Sequence, residues 1–185
     1  MSCFLRLSCA AALIAVVAGC AARGPAAPDF TLTSDTGQPW SLAAQRGRPV
    51  LLTFGFTHCA DTCPATLAKL ARLRTNALGP HGRDVEIVLV TVDPNRDTPA
   101  VLHAFVSRFG PSIVGLTGDP GRIRAVENAY HVWAQSVPGN RRGGNYDVAH
   151  AAVIYLIDAA GRIRGLHEDD ESEADLARAV REMLG

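Results

Sequence analysis

The chain has 185 residues, 48% hydrophobic and 19% charged, which suits one domain with a real core and a short appendage. Its 18 Lys and Arg balance its 18 Asp and Glu. No net field draws it to nucleic acid, so that class of partner is excluded.

The appendage is the N-terminus. Arg6 is the only charge in the first 22 residues, and the run Ala10 to Ala18, AAALIAVVA, follows it. That run falls short of the ~20 apolar residues a spanning helix needs. It reads as the apolar region of a secretory signal. It ends in Val17-Ala18-Gly19-Cys20, which resembles the lipobox of bacterial lipoproteins. The resemblance implies cleavage after residue 19, acylation of Cys20, and a lipid-anchored place on the periplasmic side of a bacterial envelope. A plain signal cut near Ala21 or Ala22 is the alternative. Processing takes away Cys3 and Cys9, and acylation blocks Cys20, so the mature domain keeps two free thiols, Cys59 and Cys63. Removing residues 1–19 takes Arg6 and no acid, which leaves 17 basic against 18 acidic residues, net −1. Two cysteines four apart are no disulfide framework. A loop that short would contribute little stability if closed. The pair is therefore read as carrying chemistry.

Residues 20–28 lack large apolar side chains and read as a tether, leaving 29–185 as the domain. Phe30–Leu32 and Trp40–Leu42 flank SDTGQP, the pattern of a hairpin. PVLLTFGF, from Pro49, is a continuous apolar run, as expected of a strand buried on both faces. The cysteines stand at its end, in FTHCADTCPATL. Leu67, Leu70, Leu73 and Leu78 then form an apolar stripe near helical spacing. Pro64 sets where that helix starts, since proline fits a first turn and disrupts an interior. Val85–Val92 reads as a second buried strand, and DPNRDTP launches a helix with Asp97 or Thr98 as cap. Ile113–Leu116 is a short strand, DPGRIRAVENAY a third helix, and GNRRGG, from Gly139, a loop. AVIYLID and Arg162–Leu166 form a late hairpin. EDDESEADLARAVREML closes the chain as an amphipathic helix. Strands alternating with helices, with a hairpin near each end, imply an open α/β sheet.

Cys63 falls at a helix N-terminus and Cys59 in the loop before it. The partial positive charge and free N–H groups there favour thiolate over thiol. Thiolate serves a redox nucleophile and a metal ligand equally, so position alone leaves both open. Two small residues packed at a strand–helix junction is the bland alternative. Against it, the only two free cysteines fall together at a strand's carboxyl end, where open α/β sheets hold ligands.

FTHCADTCPATL resembles the C-x-x-x-C-P motif of the Sco/SenC copper-chaperone family. TVDPNRDTP (Thr91–Pro99) and YDVAHAAVIYLIDAAGRI (Tyr146–Ile163) are similar to that family's second and third segments, in the same order. The resemblance covers about Pro28 to the C-terminus. It implies a thioredoxin-like fold: a central mixed sheet flanked by helices, with an N-terminal hairpin and Sco-type insertions. It also implies metal ligation by Cys59, Cys63 and His150. One departure is Ala149-His150-Ala151 where the family often has Asp-His-Ser. Two thiolates and an imidazole suit copper, Cu(I) above all, with Cu(II) tolerated; zinc would accept the same donors with a fourth ligand. His58 is expected to support the site. His81, His103, His131 and His167 read as loop or helix-face histidines. Asp93 and Asp97 are explained as well by capping as by the site, and Arg141 and Arg142 by a solvated loop.

The function implied is a metallochaperone that supplies copper to the dinuclear copper centre of cytochrome c oxidase, or to another periplasmic copper protein. The alternative is a thiol–disulfide oxidoreductase using Cys59 and Cys63 alone. A peroxiredoxin-type peroxidase places Thr three residues before its attacking Cys. Here Phe56 and Ala60 hold those positions.

Overall fold

A computed structural model describes residues 24–138 and 146–185. The signal, Cys20 and the 139–144 loop with Arg141 and Arg142 lie outside the described residues. Nine strands are described: β1 (Thr31–Ser34), β2 (Pro39–Ser41), β3 (Val50–Gly55), β4 (Glu86–Thr91), β5 (Ile113–Thr117), β6 (Ala134–Pro138), β7 (Tyr146–His150), β8 (Val153–Ile157) and β9 (Ile163–Glu168). The helices are α1 (Thr62–Arg72), α2 (Pro99–Val106), α3 (Pro120–Ala129) and α4 (Glu173–Leu184).

Seven strands form the main sheet in the order β2-β1-β5-β4-β3-β8-β9. β3, β4 and β5 run parallel, β8 runs antiparallel beside β3, and β9 antiparallel beside β8. Each parallel pair is joined through a helix, as such crossovers require. This is the expected central mixed sheet flanked by helices. β3 has no residue that is even half exposed, which is why its sequence is a continuous apolar run. The N-terminal hairpin also forms, with Leu32 opposite Trp40 and Gly37 at φ 79° in the turn.

Four features differ from the sequence reading. The Leu73–Leu78 step of five residues is a π-type turn over Leu73–Ala77, closed by the Leu78 N–H donating to Leu73 O at 3.1 Å. It keeps Leu73 and Leu78 both buried. β6 and β7 make a second, two-stranded sheet that the sequence reading lacks, and His150 is the last residue of β7. The acidic stretch does not begin a helix. β9 runs to Glu168, and α4 starts only after Ser172, whose Oγ accepts from the Asp175 N–H at 3.2 Å. Finally, the second half of the 20–28 tether belongs to the domain. The Ala27 N–H donates to Gly161 O and the Ile163 N–H to Pro25 O, both at 2.9 Å, and Ala27 is buried.

Candidate metal centre

β3 and α1 bring the two thiols to one place. Cys59 is half-buried in the loop after β3, and its N–H donates to Phe56 O at 3.3 Å. Cys63 is the second residue of α1, buried, and its N–H donates to Cys59 Sγ at 3.3 Å. A first-turn N–H thus points at the sulfur of Cys59, the helix-terminus effect in its direct form. Gly55 makes the approach possible. A methyl group there would lie 2.8 Å from Cys63 Sγ and 3.1 Å from Leu89 Cδ1.

His150 arrives from the second sheet. Its Nε2 lies 3.6 Å from Cys63 Sγ, and its Nδ1 is 3.0 Å from Ala151 O. A carbonyl only accepts, so Nδ1 carries a proton and Nε2 is the atom aimed at the sulfurs. The Phe56 ring meets the imidazole edge to face at 5.7 Å and fixes its plane. The donor atoms of Cys59, Cys63 and His150 all lie within 4.8 Å of one another.

The electrostatics divide the two thiols. Cys59 is lowered to about 4, chiefly by the hydrogen bond from the Cys63 side chain, with smaller help from His150 and two backbone N–H groups and against desolvation. Cys63 is pushed far above the ordinary thiol range, first by the same hydrogen bond, then by burial and by the Cys59 charge. The shared hydrogen bond and the unequal burial thus push the two thiols in opposite directions. Burial acts to lower His150, but hydrogen bonding to Cys59 and Ala151, the Cys59 charge and Asp169 together raise it.

The second motif supplies a clamp. Asp97 is fully buried. Its carboxylate accepts from Thr57 Oγ1 at 2.6 Å, the Thr57 N–H at 3.1 Å and Thr91 Oγ1 at 2.6 Å, tying the loop before Cys59 to the end of β4. Burial raises its pKa, against the lowering by these hydrogen bonds. Thr98, not Asp97, caps α2. Asp93 binds Arg96 Nε and accepts from Tyr146 OH at 2.7 Å. His58 is exposed beside them, its Nδ1 3.1 Å from Thr57 Oγ1. His58, Asp93 and Asp97 could in principle gather round a cation, but the carboxylate oxygens are already filled by these donors. His103 and His167 pair instead with Asp35 at 2.7 Å and Glu171 at 2.5 Å.

A groove of about 370 Å³ opens onto the site, lined in part by Phe56, Cys59, Trp133, Asp147, His150 and Asp169. Trp133 and Asp169 are absent from the sequence reading. No short-range pattern links them to the cysteines: Trp133 directly precedes β6 and Asp169 directly follows β9, and only the fold brings them to the groove.

The SCO1/SenC family profile matches residues 20–185. A SCO2-like protein of Rickettsia felis is 37% identical over 72% of this chain, and the match spans 65% of that protein's length. The structure of Arabidopsis thaliana ScoI with copper bound superimposes with a TM-score of 0.81 at 31% identity, covering 86% of this chain and 98% of that one. Bradyrhizobium japonicum ScoI with copper bound gives 0.76 at 33% identity, covering 86% and 99%. With a thioredoxin-like sheet, a matching profile over nearly its whole length and these relatives, the chain belongs to the SCO1/SenC family.

Proposed function

We propose that the domain is a copper-binding metallochaperone, with Cys59, Cys63 and His150 as ligands. The observation that carries this is the convergence of two sulfurs and one imidazole Nε2 within 4.8 Å. A soft thiolate pair with one borderline nitrogen suits Cu(I) and tolerates Cu(II). The relatives solved with copper bound support the choice of metal. Loading would displace the proton shared by the thiols and any proton on Nε2, so uptake is linked to proton release. The cargo then passes to a partner's thiolates, which by family resemblance belong to the dinuclear copper centre of cytochrome c oxidase.

The test uses the reduced soluble domain. The wild type should hold one copper per chain. Cys59→Ala and Cys63→Ala should hold none in chelator competition, and His150→Ala should bind at least about tenfold more weakly. Stoichiometric, equally tight binding by His150→Ala would remove the third ligand.

A second reading is favoured by one observation: both thiols are free, and the more accessible one, Cys59, accepts the Cys63 N–H at 3.3 Å, which favours its thiolate. Such a pair can reduce a partner's disulfide before metal is handed over. Retained reductase activity in His150→Ala, beside lost copper binding, would separate the two roles. We also propose that residues 1–19 are a signal, that Cys20 is acylated and that the tether holds the domain at the periplasmic face of a membrane. More than one acyl chain is needed for firm anchoring. A mature chain of unlipidated mass would count against this.

A further inference from the structure

We infer that the groove between Cys59 and Trp133 is a docking cleft for a cysteine-bearing segment of a partner protein whose flanking residues are basic. The inference deepens the proposed function and rests on its claim that sulfur ligands are exchanged at this site.

Access comes first. Cys63 is 5% exposed, so an incoming sulfur must meet Cys59, which lines the groove while Cys63 does not. The wall comes second. Trp133 is 56% exposed in a chain whose other tryptophan, Trp40, is buried. It stands at the start of β6, held by the Ala151 N–H donating to its carbonyl oxygen at 3.0 Å. An indole held out beside a reactive sulfur offers an apolar face and the best ring for stacking a guanidinium.

Charge comes third. Asp147 and Asp169 line the groove, and exposed Asp61 and Asp170 adjoin its lining residues in sequence. Two cations lie nearby. Arg96 is packed against the Tyr146 ring and paired with Asp93. Lys69 Nζ donates to the neutral backbone oxygens of Asp169 and Glu171, so its charge remains beside the rim. Among the described residues Asp61, Asp147, Asp169 and Asp170 outweigh that one charge, the rim is net acidic around an apolar wall, and its complement is a segment with cationic flanks.

The experiment needs no metal. Two five-residue peptides are made, one with a central cysteine between arginines and one with it between glutamates, each as its symmetrical disulfide. In the reduced protein the Cys59 thiolate attacks one peptide sulfur, forming a mixed disulfide and expelling a peptide thiolate. Cys63 then gives up its proton and attacks the Cys59 sulfur, releasing the second peptide thiol. The protein dithiol is oxidised by two electrons and the peptide disulfide is reduced by two. At low ionic strength the arginine peptide should react at least about tenfold faster than the glutamate peptide. That ratio should fall towards one in high salt and in Asp147→Asn/Asp169→Asn, and should drop in Trp133→Ala. Because the ratio is taken within each variant, altered reactivity of the protein thiol cancels, and only variants with the wild-type circular dichroism spectrum and urea unfolding transition are compared. Equal rates, a faster glutamate peptide, or a ratio unmoved by both variants overturns the inference. Copper content is measured on the same preparations. A domain that binds copper but does not discriminate sinks the groove alone; one that discriminates but binds no copper sinks the metal reading.

Discussion

Cys59 and Cys63 are chemically unlike, although both sit within one turn of the same helix start. The asymmetry has a simple origin. One sulfur receives the first-turn N–H and the neighbouring S–H, while the other is buried and faces the resulting charge. Iodoacetamide at pH 5.5 should therefore alkylate Cys59 and spare Cys63, with a labelling midpoint near about 4. Cys63→Ser, which replaces the principal hydrogen-bond donor by a different one, should shift that midpoint. Peptide mapping by mass spectrometry reads both. A folded pKa below the unfolded value means that stability from this thiol is present above the ordinary thiol range and declines as pH falls towards 4. Urea midpoints of the wild type should accordingly rise from pH 5 to pH 8 relative to Cys59→Ser. Asp97 is the other decisive residue. Asp97→Ala leaves three donors without their acceptor and should cost about 3 kcal/mol.

At the scale of elements, the end of β3 is where the fold and the site constrain each other. Gly55→Ala keeps the strand pattern but drives a methyl group onto the Cys63 sulfur. The expected cost is about 1–3 kcal/mol, with weaker copper retention than in the wild type at matched stability. Ser172→Ala removes the α4 cap and should cost about 1 kcal/mol in urea unfolding, leaving metal binding unchanged. The elements also show what a sequence can and cannot reveal. β3, β4, α1, α2 and α3 were legible because burial on both faces, proline at the first turn and a capping Asp or Thr leave local marks. β6 leaves none. None of its residues is buried, so AQSVP carries no alternation to read. The run from Glu168 looks helical by composition, yet pairing of Glu168 with Val153 and the Ser172 cap decide otherwise. At the site, the cysteine pair was legible from spacing and position. His150 stands 87 residues after Cys63 and came only from family resemblance. Trp133 and Asp169 reach the groove through folding alone.

At the scale of the whole molecule, the site and the first described residues of the N-terminal segment occupy opposite ends of the sheet. Gly55, beside Cys63, ends β3, whereas Val50 at its start pairs with Ile157, next to the Gly161–Ile163 segment that holds Pro25 and Ala27. The separation along β3 is about 17 Å. A pull on the N-terminus is thus borne first by the two backbone hydrogen bonds that make the isolated bridge between Ala26 and Arg162 at the far edge. That short pairing is a mechanical fuse. It should part before the sheet is loaded, releasing residues 24–27 and lengthening the chain by roughly 14 Å. Optical-tweezer traces of the domain pulled through its two ends should show that small step at low force, ahead of global unfolding. A domain built this way can yield to a jolt at its N-terminal end without disturbing the sulfurs at the other.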